Sequence, residues 1–364
     1  MTTIGVVINP VAGMGGRVGL HGTDGAALAA AVRRGATPVA PHRARRALDR
    51  LHALAPDVRI VTVGGPMGTD HLPGSGWSAE VLPGNPGPTT AADTRAAVRA
   101  MTAAGVGLVL FVGGDGTARD VAGVVGTGVP VLGVPSGVKM HSGVFATGPE
   151  VAGATAARFA ADPARIGTVD AEVVDLDGSS PRLFGVARVP RVRNALQGAK
   201  TVHPGDGDLA GLGREVAKGA PAGRLLLLGP GITVAHVSAA LGVPATPLGV
   251  DVVLDGEVLA ADADEATLLA LLADHPRATL VLGVVGGQGF LLGRGNQQIS
   301  ADVLAAVGPD NIEILAAPGK IAALDPPVLR VDLGDERAAV PVAGYHRVRT
   351  GQGRSTVLRV VAQQ

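Results

Sequence analysis

The chain contains no cysteine in its 364 residues. Disulfides, thiolate catalysis and Cys-ligated zinc or iron–sulfur centres are therefore excluded. Aromatic residues make up only 2%, too few to build stacking platforms for nucleic-acid bases. An excess of charge of either sign is also missing, because 31 Lys and Arg balance 31 Asp and Glu. Binding of nucleic acid or of an anionic membrane surface calls for a basic surplus or patch, so neither partner is expected. No run of about 18 apolar residues is present, and the first residues lack the basic segment of a secretory leader. A cytoplasmic protein without a membrane span is the expectation. Walker-type phosphate loops, H-E-x-x-H and G-x-S-x-G patterns are absent as well.

What is present is glycine, 55 residues of it, without a three-residue period. Many glycines directly follow short Val, Ile and Leu runs. That is where α/β proteins turn from strand to helix and bind ligands. The length suits two domains, and a hydrophobic fraction of 46% supplies a sizeable core. Residues 3–8, 59–63, 106–112 and 130–134 read as strands, with helices over 26–34, 89–103 and 118–125. Thr89 or Thr90 is the expected N-cap of the second helix, with Asp93 in its first turn. This is the pattern of a doubly wound parallel sheet over roughly residues 1–150. Residues 165–176 and 183–192 read as an antiparallel pair, and 199–219 carry no strong period. A second α/β series runs from residue 224: strands at 225–228, 250–254, 279–285 and 312–316, and helices to 241, over 265–274 and over 302–307. Two β segments, 329–331 and 355–361, follow. The expected second domain, about 151–330, is mixed β and α/β.

The strongest motif is Gly113-Gly114-Asp115-Gly116-Thr117, set between a buried strand and a helix. Glycines let the backbone approach a polyphosphate, and the helix start presents N–H groups and a positive dipole end. Asp115 among phosphates makes sense as a base or a metal partner; the plain alternative is a strand–helix turn with an aspartate cap. Ser136 and Gly137 form another turn after a strand, followed by Lys139 and His141. Asp24 sits in a Gly-Thr-Asp-Gly turn that reads equally as a surface turn. Arg294, Asn296, Gln297 and Gln298 are polar groups able to read a ribose or phosphate, or to form an ordinary polar loop. The turns at 229–233 and 286–298 are expected to face residues 113–117 across a cleft.

Together with Asn9-Pro10, Gly13, Gly15 and Gly16 after the first strand, the pentapeptide resembles the NAD kinase and diacylglycerol kinase superfamily. Residues 17–25 (Arg17 to Gly25), 133–142 (Gly133 to Ser142) and 286–298 (Gly286 to Gln298) resemble the ATP-NAD kinase/AcoX-like branch. The resemblance implies an ATP-dependent, Mg²⁺-assisted kinase in which Asn9, Gly13, Gly15, Gly16, Gly113, Gly114, Gly116, Thr117, Ser136 and Gly137 hold the nucleotide. Asp115 would act on an acceptor hydroxyl, and Asp24, Lys139, His141, Arg294, Asn296 and Gln297 are candidates for the acceptor side. It also implies that the tail after residue 330 returns to the first domain. One departure stands out. The Asn-acid pair that holds the NAD ribose in NAD kinases is missing, and Asn194 is followed by Ala195. The expected acceptor is NAD or another small hydroxyl metabolite, and a homo-oligomer is expected. A kinase of another alcohol and a nucleotide-binding regulator without catalysis are the alternatives.

Overall fold

Strands covered on both faces must be apolar throughout, and four of the first five strands are fully buried along their length. The computed structural model describes residues 1–20, 26–74, 77, 79–85, 87–138, 140–177, 180–192, 195–196, 209–285, 289–334 and 342–362. The first sheet consists of β1 (Ile4–Ile8), β2 (Ile60–Val63), β3 (Ala79–Leu82), β4 (Leu108–Gly113) and β5 (Val131–Pro135), all parallel, in the order β3-β2-β1-β4-β5. The connectivity changes direction between β1 and β4. Such a switch point leaves a crevice at the carboxyl ends of the strands.

Alternate side chains of each strand serve two separate cores. α1 is Ala26–Arg33; Ile4, Val6 and Ile8 join Leu110 and Leu132 beneath the helix pair α2 (Ala40–Leu54) and α5 (Pro149–Ala161). Val7, Val109 and Phe111 pack on the other face against α3 (Ala91–Ala103) and α4 (Asp115–Val125). α3 begins on a capping box in which Thr90 and Asp93 bond each other's backbone and side chain. α2 is absent from the sequence expectations; its buried face combines Ala40, Ala44 and Ala47 with Arg43, Leu48 and Leu51. Its alanines let α5 come so close that a Cβ on Gly153 would stand 2.2 Å from the Ala47 carbonyl oxygen.

The antiparallel hairpin β6 (Thr168–Asp177) and β7 (Ser180–Pro190) packs Val173, Ala187 and Val189 into the α3–α4 core. It and α5 therefore belong with the first domain rather than the second. The tail was expected to return to the first domain, but its strands complete the second sheet. That sheet holds β8 (Leu225–Leu228), β9 (Asp251–Leu254), β10 (Glu257–Ala260), β11 (Ala278–Gly283), β12 (Phe290–Leu292), β13 (Ile312–Leu315), β14 (Val328–Val331), β15 (Gly344–Gly351) and β16 (Arg354–Ala362). Its order is β10-β9-β8-β11-β13-β15-β16-β14-β12. Leu227, Leu282, Leu292, Leu329, Val348 and Val360 from across it meet in one core. β15 and β16 pair with each other antiparallel, β15 also pairs with β13 and β16 with β14, both parallel.

The tail's contact with the first domain lies in the segment just after β14. Asp332 there accepts a bidentate pair of bonds from Arg43 on α2, at 2.7 and 2.8 Å, and Arg294 reaches it at 3.0 Å. All three side chains are buried. Arg46 adds a bond to the Gly334 carbonyl at 3.1 Å. The two arginines hold the Asp332 carboxyl far below the ordinary carboxylate range against the opposing effect of burial. Among the described residues no helix is long and apolar enough to cross a membrane.

Candidate functional site

At the β1–β4 switch point three turns meet, and glycine is what lets them meet. Gly13 has φ +82°, and a Cβ there would stand 2.0 Å from the Ser136 carbonyl oxygen. A Cβ on Gly114 would stand 2.9 Å from the Gly137 Cα, and one on Gly16 would stand 2.9 Å from the Gln297 Cβ. Gly113 is closed off by Thr117, at 2.4 Å. The glycines therefore pack turn against turn, whereas the sequence suggested that they open space for phosphate. Gly116 is the exception: its nearest neighbour is the Asp175 Oδ2, at 3.9 Å. Asn9 ties the turn after β1 to the 113–117 turn through a bond from its Nδ2 to Thr117 Oγ1 at 3.0 Å. Gly15 is buried in the same turn and accepts the Leu20 N–H at 2.8 Å.

α4 starts at Asp115 with Gly114 as N-cap. Its first-turn N–H groups have no acceptor one turn back, and with the helix dipole they favour an anion. Beside them Ser136 is 3% exposed, and its Oγ finds no hydrogen-bond partner. An orphaned buried hydroxyl is costly unless something else satisfies it. A phosphate oxygen is an acceptor that would do so. The residues present thus fit a nucleotide's phosphates. Among the described residues no group of three or more His, Asp or Glu forms a metal cage. Mg²⁺ bound with a nucleotide takes one or two carboxylates besides phosphate oxygens and water, and Asp115 and Asp175 are the carboxylates in place.

Asp115 is 6% exposed. Its Oδ2 accepts the His141 N–H at 2.6 Å and its Oδ1 the Ser142 N–H at 3.0 Å. Burial pushes its carboxyl up to about 7; the hydrogen bonds oppose the rise and the Asp175 charge adds to it. A carboxylate balanced near neutrality can take up a proton and release it again. His141 enters this arrangement through its backbone.

The acceptor-side candidates divide. Gln297 reaches the cradle from the second domain, its Nε2 donating to the Val138 carbonyl at 2.7 Å and to that of Gly137 at 3.3 Å. Arg294 is instead committed to Asp332, to the Thr147 carbonyl at 3.2 Å and to the ring of Phe290. Burial pushes its guanidinium down to about 10, a trend that the Asp332 charge opposes. Asn296 closes its own turn, accepting from the Gly293 N–H at 2.8 Å and donating to the Leu291 carbonyl at 2.9 Å. Both side chains are thus engaged by partners within the protein, whereas Gln297 of the same run reaches the cradle. The turn at 229–233 bonds within its own domain, Gly229 N–H to Val281 and Thr233 Oγ1 from Lys320. Asp24, Lys139, Asn194 and residues 286–288 lie outside the described residues.

Sequence reasoning missed Asp175 and Arg119. Arg119 lies one turn after Asp115 on α4 and pairs with Asp175 at 2.9 Å. Only the i, i+4 spacing of Asp115 and Arg119 on a helix could have flagged it.

A parallel sheet with a crevice at its switch point, joined to a second, mixed sheet, defines a two-domain α/β nucleotide-site protein. Residues 4–164 match the model of the ATP-NAD kinase N-terminal domain, and residues 223–360 match that of the ATP-NAD kinase C-terminal domain. The chain belongs to the ATP-NAD kinase family, and it is a kinase-type phosphotransferase of that family. Comparison with curated proteins and with solved structures gives no match.

Proposed function

We propose that the protein transfers the γ-phosphoryl group of ATP to a hydroxyl of a small metabolite, with Asp115 as the base and NAD as the first candidate acceptor. The observation that carries this reading is Asp115 itself, a buried carboxylate brought near neutrality at the start of α4. Its oxygen takes the proton of the acceptor hydroxyl. The hydroxyl oxygen then bonds the γ-phosphorus as the bond to the β–γ bridging oxygen breaks, and ADP departs. The α4 N–H groups and Ser136 hold the phosphates in line. Mg²⁺, when bound with ATP, would neutralise phosphate charge. Segments 133–142 and 286–298 support placing the chain in the AcoX-like branch.

A second reading, another hydroxyl metabolite on the same scaffold, is favoured by one observation. Arg294 and Asn296 are occupied elsewhere, so they cannot replace the missing Asn-acid pair. The direct test is NADP formation from NAD and ATP–Mg²⁺. Turnover that disappears in Asp115→Asn supports NAD; no NADP at millimolar NAD, with ATP still bound, assigns the acceptor to another alcohol.

The donor site has its own test. ATP–Mg²⁺ raises the melting temperature, because a ligand of the folded state stabilises it by mass action. Ser136→Ala removes an unsatisfied buried hydroxyl, so the nucleotide-free protein keeps or gains stability while the ATP-induced shift shrinks. Gly114→Val pushes the turn away from Gly137 and abolishes the shift. Full ATP protection in both variants would place the nucleotide elsewhere.

A further inference from the structure

The backbone N–H groups that hold Asp115 come from one dipeptide, His141-Ser142, one to each carboxylate oxygen. A base is only as well placed as the groups that hold it. The dipeptide lies in the connection between β5 and α5, and bonds to two neighbouring elements fix that connection. On one side Gly133 of β5 donates to the Val144 carbonyl and accepts the Ala146 N–H, both at 2.9 Å. On the other side the Gly143 N–H donates to the Glu172 carbonyl of β6 at 2.9 Å. The next link to β6 is made by a side chain. Ser142 Oγ donates to the Val174 carbonyl at 2.8 Å and accepts the Val174 N–H at 3.0 Å. The hydroxyl thus does for Val174 what a paired residue does in a ladder, engaging its N–H and its C=O at once. Ser142 is 0% exposed.

Val174 is a particular point of the hairpin. The β6–β7 register shifts between Val173 and Val174, passing over Phe184. A bulge disrupts the ladder locally, and here the Ser142 hydroxyl supplies pairing from outside the hairpin. The next residue is Asp175. Its carboxylate pairs with Arg119 of α4 at 2.9 Å and lies 3.9 Å from where a Cβ on Gly116 would stand. Asp115 belongs to α4 and Asp175 to the hairpin, so their separation is set wherever those two elements are tied. Arg119 ties them by an ion pair that is partly exposed, a weak kind of link. Ser142 ties them in the interior. Its N–H holds Asp115, and its Oγ holds the residue before Asp175.

We infer that Ser142 is a positioning residue of the site: its buried hydroxyl anchors the His141-Ser142 N–H pair to the β6–β7 hairpin and so fixes Asp115 relative to Asp175. The inference rests on the kinase reading. Alanine at 142 leaves both N–H donors in the chain but releases them from Val174. Misplacing a reacting group costs far more in rate than in binding. The loss should therefore fall on turnover and leave the use of ATP nearly unchanged.

The test is a double-mutant cycle on the full chain, read as label transfer from γ-labelled ATP–Mg²⁺ into a saturating small-metabolite extract. Ser142→Ala should lower turnover by about tenfold to a hundredfold, with half-saturating ATP within about twofold of the parent. Retained heat protection by ATP–Mg²⁺ shows that the variant folds. In Asp115→Asn the same change should lower the residual rate by less than about twofold, because residues that act as a unit are not additive. Ser142→Cys is close in size and keeps a weak donor and acceptor. Its turnover should fall between those of Ser142→Ala and the parent, and it replaces Ser142→Ala in the cycle if the alanine variant does not fold. Turnover within about twofold of the parent in both variants overturns the inference. An equal fold-loss in the parent and in the Asp115→Asn background also overturns it, since that is the mark of a general structural role. Label transfer by none of the proteins, the parent included, refutes the kinase reading and the inference with it.

Discussion

Asp115→Asn should lower turnover by about two or more orders of magnitude, the scale for a positioned general base, while ATP–Mg²⁺ still protects the protein against heat. Asparagine keeps the size of the side chain but cannot take the acceptor proton. Its single oxygen can accept from only one of the two N–H groups, those of His141 and Ser142, that the carboxylate satisfies. A modest stability loss therefore accompanies the kinetic one, on the order of 1–3 kcal/mol for an unsatisfied buried donor. Retained ATP protection separates the two effects. The pH profile is the sharper signature. A base must be ionised, and burial pushes this carboxyl up to about 7. kcat/KM in the parent protein should be flat above that pH and fall about tenfold per unit below it. Stability should move the other way. A carboxyl whose folded value is raised above its ordinary 3.8 contributes stability that is complete at low pH and lost as pH rises through about 7. Activity and stability of the nucleotide-free protein should thus cross in slope near neutrality. Wild-type turnover in Asp115→Asn would reduce the residue to a helix-start cap.

The second large effect concerns the junction of the two domains. Asp332→Ala leaves Arg43 and Arg294 buried without their shared carboxylate. Breaking a buried ion pair from one side costs about 3–5 kcal/mol. The melting temperature should fall by roughly 10 °C, taking a few degrees per kcal/mol for domains of this size. Replacing the whole set with apolar residues, Arg43→Met, Asp332→Leu and Arg294→Met together, should cost far less, because no charge is then left buried. The carboxyl of Asp332 is held well below its ordinary value. Its contribution is therefore complete above about pH 4 and lost only as pH falls below that. The junction accordingly adds nothing to pH dependence near 7, where Asp115 acts. A loss under about 1 kcal/mol in Asp332→Ala, measured by denaturant titration, would mean that the domains are held by other contacts.

The parts legible in the sequence are those written in local pattern. The continuous apolar run of β4 followed by Gly113-Gly114-Asp115-Gly116-Thr117, the Thr90–Asp93 cap and the β6–β7 pairing each depend on neighbours in the chain. α2 is missing from the sequence reading although Leu48 and Leu51 join Ala40, Ala44 and Ala47 on its buried face, a periodicity that was there to read. The internal bonds of Arg294 and Asn296 were not legible, because a polar side chain after a strand looks the same whether it faces a ligand or a buried partner. Arg294's partner Asp332 arrives from the segment just after β14, and no spacing rule announces it. The sequence reading gave the glycines of these turns to the nucleotide; in the fold most of them serve turn-to-turn packing, which no local pattern announces. Arg119, Asp175 and Phe184 come from a helix and a hairpin that only the fold brings together.

The central claim is that Asp115 takes the proton of a hydroxyl that receives the γ-phosphoryl group of ATP. The most direct measurement is transfer of label from γ-labelled ATP–Mg²⁺ into an acid-stable metabolite product, followed from pH 5.5 to 8.5 in the parent protein and in Asp115→Asn. The account predicts product formation that rises through pH 7 to a plateau in the parent and stays at least about a hundredfold lower, without that rise, in the variant. Equal transfer by both proteins, or a parent rate that does not change across pH 7, would contradict it.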